Sequence, residues 1–308
     1  MTASIGSDPG QSSARQAVVA GIDGSETSTN AARWAASLAH HLRTPLHLVH
    51  SAVTAGSYLT DAAVEAIKAA ATADQYAAAQ NILTMTGKAV HRDFPELPVT
   101  TEVVAEPADT VLIRRSRQAQ FVVLGCEDIS RATALLLGST SLSVTTRAEC
   151  PVIAWRNLPA PSTASVVVGV DGTEAGMAAL AAAFTLADRL DAPVKAVHAW
   201  STALPADHAA LPYLIDWDAV ERAEETVLIS AVSPWTERFP GVEVEYVVEQ
   251  ARPSRLLLDH LKYAQLVVVG NHRGSALATA LLGSTTLNML HHSPVPVLVC
   301  HAEDRPGL

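Results

Sequence analysis

The sequence is poor in aromatics, in cysteine and in positive charge. Aromatic residues make up 5% of the chain, so its cores must be built from alanine, valine and leucine. The three cysteines, Cys126, Cys150 and Cys300, form an odd set without paired spacing. Such a set excludes a disulfide framework, fits a reducing compartment, and reads as small core residues rather than redox or metal groups. Against 31 Asp plus Glu stand only 21 Lys plus Arg, a formal net charge of −10. That deficit excludes a general nucleic-acid binder, which needs a basic face for the phosphate backbone. It leaves room for a small anionic ligand, because backbone N–H groups and helix N-termini hold phosphate without a basic surface.

Long apolar runs are also missing. None reaches the ~18 residues of a membrane span, and the opening "MTASIGSDPGQSSARQ" lacks the basic start and apolar core of a signal peptide. The expectation is a cytoplasmic protein, free of membrane, with a disordered leader over residues 1–15. Common catalytic signatures are absent as well: no G-x-x-x-x-G-K-[ST], no G-x-G-x-x-G after a strand, no G-x-S-x-G and no H-E-x-x-H. The pairs His40-His41 and His291-His292 point in different directions on a helix and have no acid or cysteine to complete a metal set. They read as solvated helix ends, and the chain reads as a non-catalytic protein.

What the chain does contain, it contains twice. "VVAGIDGSE" from residue 18 returns as "VVVGVDGTE" from residue 166, and "PLHLVHS" from 45 returns as "PVKAVHA" from 193, both at an offset of 148. "FVVLG" from 121 returns as "LVVVG" from 266, "LLLGSTSL" from 135 as "ALLGSTTL" from 280, and "CPVIAW" as "VPVLVC", all at 145. Two copies of one domain, over 16–157 and 164–302, therefore fill the chain, joined by the proline-rich "RNLPAPSTA". The three-residue change of offset lies between the second and fourth strands.

Within each copy, short apolar runs alternate with stretches of helical period, the pattern of an α/β doubly wound domain: a five-stranded parallel sheet with helices on both faces. In the first copy the strands are predicted near 17–22, 46–51, 99–104, 120–124 and 151–155. Ala31, Trp34, Ala35, Leu38 and Leu42 give the first helix one stripe for the sheet, repeated by Ala179, Ala182, Ala183, Leu186 and Leu190. A second helix covers much of 59–92, a third 107–118, and a fourth starts near Ser139. The last strand of each copy is a candidate sheet edge, which makes pairing natural and leaves a homodimer open.

In such a fold ligands sit beyond the C-terminal strand ends, where strand order reverses. The repeated features fall there: Asp171 after the first strand, His198 and Ala199 at the second, Gly270 at the fourth. Gly283, Ser284 and Thr285 start a helix, so their N–H groups are expected to be unpaired and available to an anion. Asp171 repels phosphate; it accepts from ribose hydroxyls or holds a Mg²⁺ that bridges to phosphates. Plainer uses compete. Gly270 serves equally as a turn residue, Asp23 and Asp171 as caps of the following helix or its loop, and His50 and His198 as hydrogen-bonded structural residues.

These residues resemble the universal stress proteins, specifically their tandem-domain members. That family's ATP-binding pattern is G-x-x-G-x9-G-[ST]; the chain carries its outer parts twice, as Gly270 with Gly283-Ser284 and as Gly125 with Gly138-Ser139. The resemblance implies an ATP-binding stress or growth regulator acting through protein partners. By that resemblance Val170 and Asp171 line the ribose side and the Ala199 backbone meets adenine. Val269, Gly270 and His272 flank sugar and phosphates, while Gly283, Ser284 and Thr285 hold the phosphates. The first-copy equivalents are Asp23, Ser51, Leu124, Gly125, Gly138, Ser139 and Thr140.

The middle glycine of the pattern is replaced in both copies, by Arg273 in the second and Asp128 in the first. Like charges ~4 Å apart repel by about 4 kcal/mol at an effective dielectric of 20, so Asp128 and Glu127 oppose a triphosphate, whereas His272 and Arg273 attract one. The second site is therefore expected to bind ATP better than the first, or alone. Two rivals stand beside this reading. One is an interaction scaffold whose nucleotide sites have decayed; the other is an enzyme of the adenine-nucleotide α-hydrolase type, whose "SGG" loop "GVDGT" only faintly resembles.

Overall fold

A computed structural model describes residues 17–52, 62–126, 138–156, 162–201, 216–271 and 282–302. The first half runs β1 (Ala17–Ile22), α1 (Glu26–Leu42), β2 (Leu46–Ser51), α2 (Ala62–Asp93), β3 (Val99–Val104), α3 (Ala108–Ser116), β4 (Ala119–Gly125), α4 (Ser139–Arg147) and β5 (Val152–Trp155). The second half repeats it as β6 (Ser165–Gly169), α5 (Glu174–Leu190), β7 (Val194–Trp200), α6 (Trp217–Arg238), β8 (Val244–Gln250), α7 (Pro253–Asp259), β9 (Ala264–Asn271), α8 (Ser284–His292) and β10 (Val297–His301). The predicted elements are present. The offset between equivalent strands is already 145 at β3 and β8, which places the length change in the segment holding α2 and α6.

Local chemistry fixes the start and end of the first helix in each half. Ser25 caps α1 by accepting the Ser28 N–H at 3.0 Å, and Thr173 caps α5 by accepting the Gly176 N–H at 3.1 Å. Both helices end in a left-handed residue, Arg43 at φ 54° and Asp191 at φ 51°. One prediction was too modest. Beyond the expected stripe, α1 also buries Ala32, Ala36 and Ala39; α2 packs beside it on the same face of the sheet, against β2 and β3.

Strand order is β3-β2-β1-β4-β5-β10-β9-β6-β7-β8, so the two five-stranded parallel sheets are joined into one of ten strands. The join is antiparallel: Val297 faces Ala154, Leu298 faces Ile153 and Val299 faces Val152. The last strands are thus edges that close on each other within the chain. An association between whole chains has to use another surface. On one face of the sheet a single apolar cluster runs through both halves beneath α1, α2, α5 and α6, and includes Ile153 and Leu298. On the other face there are two clusters, one around Val111 and Leu112 of the first half and one around Leu256 and Leu257 of the second, the latter reaching Ala154 and Cys126 across the join.

The segment predicted as a linker is tied at both ends. Arg156, buried at the end of β5, donates to the Leu290 carbonyl in the last turn of α8, and the Ser162 N–H donates to Gln265 Oε1 at 2.8 Å. The cation meets the negative end of that helix. Cys126, Cys150 and Cys300 are buried and not joined in disulfides, in keeping with small core residues. Among the described residues no helix is long and apolar enough to cross a membrane.

Candidate functional site

β1 and β4 lie side by side, and the connections leave them in opposite directions, so a crevice opens at their C-terminal ends; β6 and β9 form its twin. Each crevice holds a pocket, of about 130 Å³ in the first half and about 100 Å³ in the second. Every residue lining the second pocket has its repeat counterpart lining the first. Among these pairs are Asp23 with Asp171, Ser51 with Ala199, Leu124 with Val269, Gly125 with Gly270, and Thr140 with Thr285. The inner walls are apolar: Ile22, Val49, Leu112 and Leu124 in one, Val170, Val197, Leu257 and Val269 in the other.

The aspartates stand on an identical turn. Asp23 Oδ1 accepts the Ser25 N–H at 2.9 Å and Asp171 Oδ1 the Thr173 N–H at 3.0 Å; Gly24 (φ 90°) and Gly172 (φ 74°) supply the left-handed step between them. Neither aspartate is itself the N-cap; each orients the Ser or Thr that is. Burial raises the Asp23 carboxyl, but hydrogen bonds from the Ser25 side chain and backbone and from Ser28 outweigh it and hold the carboxyl below its ordinary value. The native state thus favours the ionised form. That contribution to stability is present above the ordinary value and is lost as pH falls through the lowered native one. Asp23→Asn should therefore destabilise the protein slightly at neutral pH, with the difference shrinking well below about pH 4, as paired thermal melts would show.

The strand-end histidines act structurally, as expected. His50 Nδ1 lies 2.7 Å from the Ile22 carbonyl and His198 Nδ1 2.8 Å from that of Val170, so in each half Nδ1–H donates across from the second strand to the end of the first. His198 Nε2 also meets Glu224 at 3.0 Å.

The glycines divide into two kinds. A Cβ on Gly270 would lie 2.5 Å from the Ala175 carbonyl carbon, and one on Gly125 3.0 Å from that of Thr27. These two glycines let a strand end touch the first turn of a helix, a need that packing alone explains. Gly138 and Gly283 differ. They sit at φ −52° and −59°, which any residue adopts; among the described residues a Cβ on Gly138 would meet nothing within 4 Å, and on Gly283 only Asn271 Oδ1 at 3.8 Å. Both are N-caps without a side-chain cap, leading into Ser139 and Thr140 or Ser284 and Thr285. One expectation is corrected here: the Gly283 N–H is not available, since it donates to Asn271 Oδ1 at 2.9 Å. Asn271 ends β9 immediately below the start of α8, close enough for its carboxamide to cap that turn.

Each half of the repeat also matches known proteins. The universal stress protein family model matches residues 14–156 and again 163–301. The chain belongs to the universal stress protein family. Curated relatives include universal stress protein Rv2005c of Mycobacterium tuberculosis, 36% identical over 289 residues, covering 92% of this chain and 96% of that one. Universal stress protein Rv2623 of the same organism is 33% identical over 287 residues, with 92% and 95% covered. Among solved structures, a universal stress protein from Archaeoglobus fulgidus superposes with a TM-score of 0.69 at 19% identity, covering 94% of this chain and 99% of that one, a likeness of fold.

In this universal stress protein, Val170, Asp171, Ala199, Val269, Gly270 and Thr285 line one pocket, and Asp23, Ser51, Leu124, Gly125 and Thr140 the other. Gly138, Ser139, Gly283 and Ser284 stand beside them at the helix starts. His272, Arg273, Glu127 and Asp128 lie outside the described residues. The sequence reading missed the wall supplied by the third helix of each half, Ala108 and Leu112 on α3, Pro253 and Leu257 on α7. The signal was available: at the 145 offset Ala108 falls on Pro253 and Leu112 on Leu257. These stretches share pattern rather than identity, so a search for matching strings passes over them.

Proposed function

We propose that the two pockets bind adenine nucleotide, ATP in particular, and that the protein is a non-catalytic module whose contacts with other proteins respond to occupancy. The observation that carries this reading is the pair Gly138 and Gly283. Neither backbone conformation nor packing among the described residues requires glycine there, so the missing side chain leaves room for a ligand at a helix N-terminus. The apolar walls suit a flat base, and the rim aspartates suit ribose hydroxyls. Each pocket supplies one carboxylate, and among the described residues no cluster of three metal-ligating groups occurs. A Mg²⁺ would therefore be held mainly by the phosphates themselves.

The second pocket is the stronger candidate on the charges of His272 and Arg273 against those of Glu127 and Asp128. Acid extraction of the purified protein, followed by chromatography of the extract, is expected to yield intact ATP. A nucleotide recovered only as AMP with pyrophosphate would favour the hydrolase reading; protein that neither carries nor takes up nucleotide would favour the scaffold.

A further inference from the structure

Beside the second pocket, at the start of α8, stands a buried donor without a partner among the described residues. Asn271, the last residue of β9, is 2% exposed and accepts the Gly283 N–H through Oδ1. That bond fixes the carboxamide, because only its oxygen can accept from an N–H. The Nδ2 group is then directed elsewhere at the start of α8, buried and without a hydrogen-bond partner among the described residues. A buried amide donor left unpaired is costly, and a functional partner is one of the few accounts of its presence. Positioning Gly283 explains the oxygen but not the nitrogen.

The first half has Cys126 at the equivalent place. Burial pushes its thiol up, outweighing Ser141 and Arg156, so it stays a neutral and weak donor. Ser141 lies 3.8 Å from its sulfur.

We infer that Asn271 is an additional anion-binding residue of the second pocket, its Nδ2 donating to an oxygen of the phosphate chain held at the start of α8. The inference rests on the nucleotide reading of that pocket. It makes the two halves unequal in a way that charge alone does not: a fixed side-chain donor stands in the second and a thiol in the first. The site then distinguishes a nucleoside polyphosphate from a nucleoside.

The test is calorimetric titration of the full chain with ATP and with adenosine, in a Gly138→Ala background that leaves only the second pocket intact. Asn271→Asp keeps an acceptor for Gly283 and turns the donor into a negative acceptor. Asn271→Cys installs the residue of the first half and covers the case in which the aspartate variant does not fold. Both are expected to bind ATP about 10- to 100-fold more weakly, the worth of one charge-assisted hydrogen bond, with adenosine binding unchanged. Undiminished ATP affinity in a folded variant overturns the inference and leaves the nucleotide reading standing. Equal losses for ATP and adenosine also overturn it, since only the seat of Gly283 would then have moved. If the unsubstituted protein binds no ATP, both fall together.

Discussion

Gly270→Ala lowers the stability of the protein by about 1–3 kcal/mol or more, the range for forcing an extra carbon into a filled core, and does so more than Gly125→Ala. The new methyl would stand 2.5 Å from the Ala175 carbonyl carbon and 2.7 Å from the Gly176 nitrogen, both backbone atoms that cannot swing aside. At Gly125 the closest approach is 3.0 Å, to the Thr27 backbone, so a shift of a few tenths of an ångström relieves it. In the second half the strand end must separate from the first turn of α5, which also carries the cap Thr173 and, through it, the Asp171 turn. Denaturant unfolding of both variants measures the difference. Because the second pocket lies on the same contact, Gly270→Ala is expected to lose nucleotide binding together with stability, and loss of binding at Gly270 by itself would not identify a ligand contact.

Leu298→Ala is expected to cost about 2–5 kcal/mol, and to do so for both halves at once. Leu298 is fully buried in β10 opposite Ile153 of β5, at the antiparallel join. It belongs to the apolar cluster that continues beneath α1 and α5, so the cavity it leaves borders side chains of both repeats. Differential scanning calorimetry should show one transition shifted downward as a unit. Two transitions, with the first half unmoved, would show that the join couples the halves less than the shared core implies.

Much of this architecture was legible in the amino-acid sequence. The 148 and 145 offsets located the repeat, and strands such as Val18–Ile22 and Leu266–Gly270 declared themselves as apolar runs because a parallel sheet covered on both faces needs nothing polar inside. The convergence of Asp171, Ala199 and Gly270 followed from the strand-end rule. What escaped depends on distances between elements remote in the chain. The same letter G stands at 270 where a Cβ would lie 2.5 Å from a helix backbone and at 283 where no described residue comes closer than 3.8 Å, and no periodicity separates the two. That Asn271 would reach the Gly283 N–H depends on how β9 meets α8, across residues outside those described. The direction of the β5 and β10 pairing was equally hidden, because a parallel and an antiparallel join present the same apolar strands.

The most direct measurement is equilibrium dialysis with labelled ATP on the unsubstituted protein, Gly138→Ala and Gly283→Ala. Among the described residues a Cβ at either glycine makes no contact under 3.8 Å, and it strains no backbone dihedral, so both variants should melt like the parent while the methyl intrudes where a phosphate would lie. The account predicts saturable binding by the parent, lost mainly in Gly283→Ala. A parent that fails to retain ATP, or a double variant that retains it as well as the parent does, would contradict it.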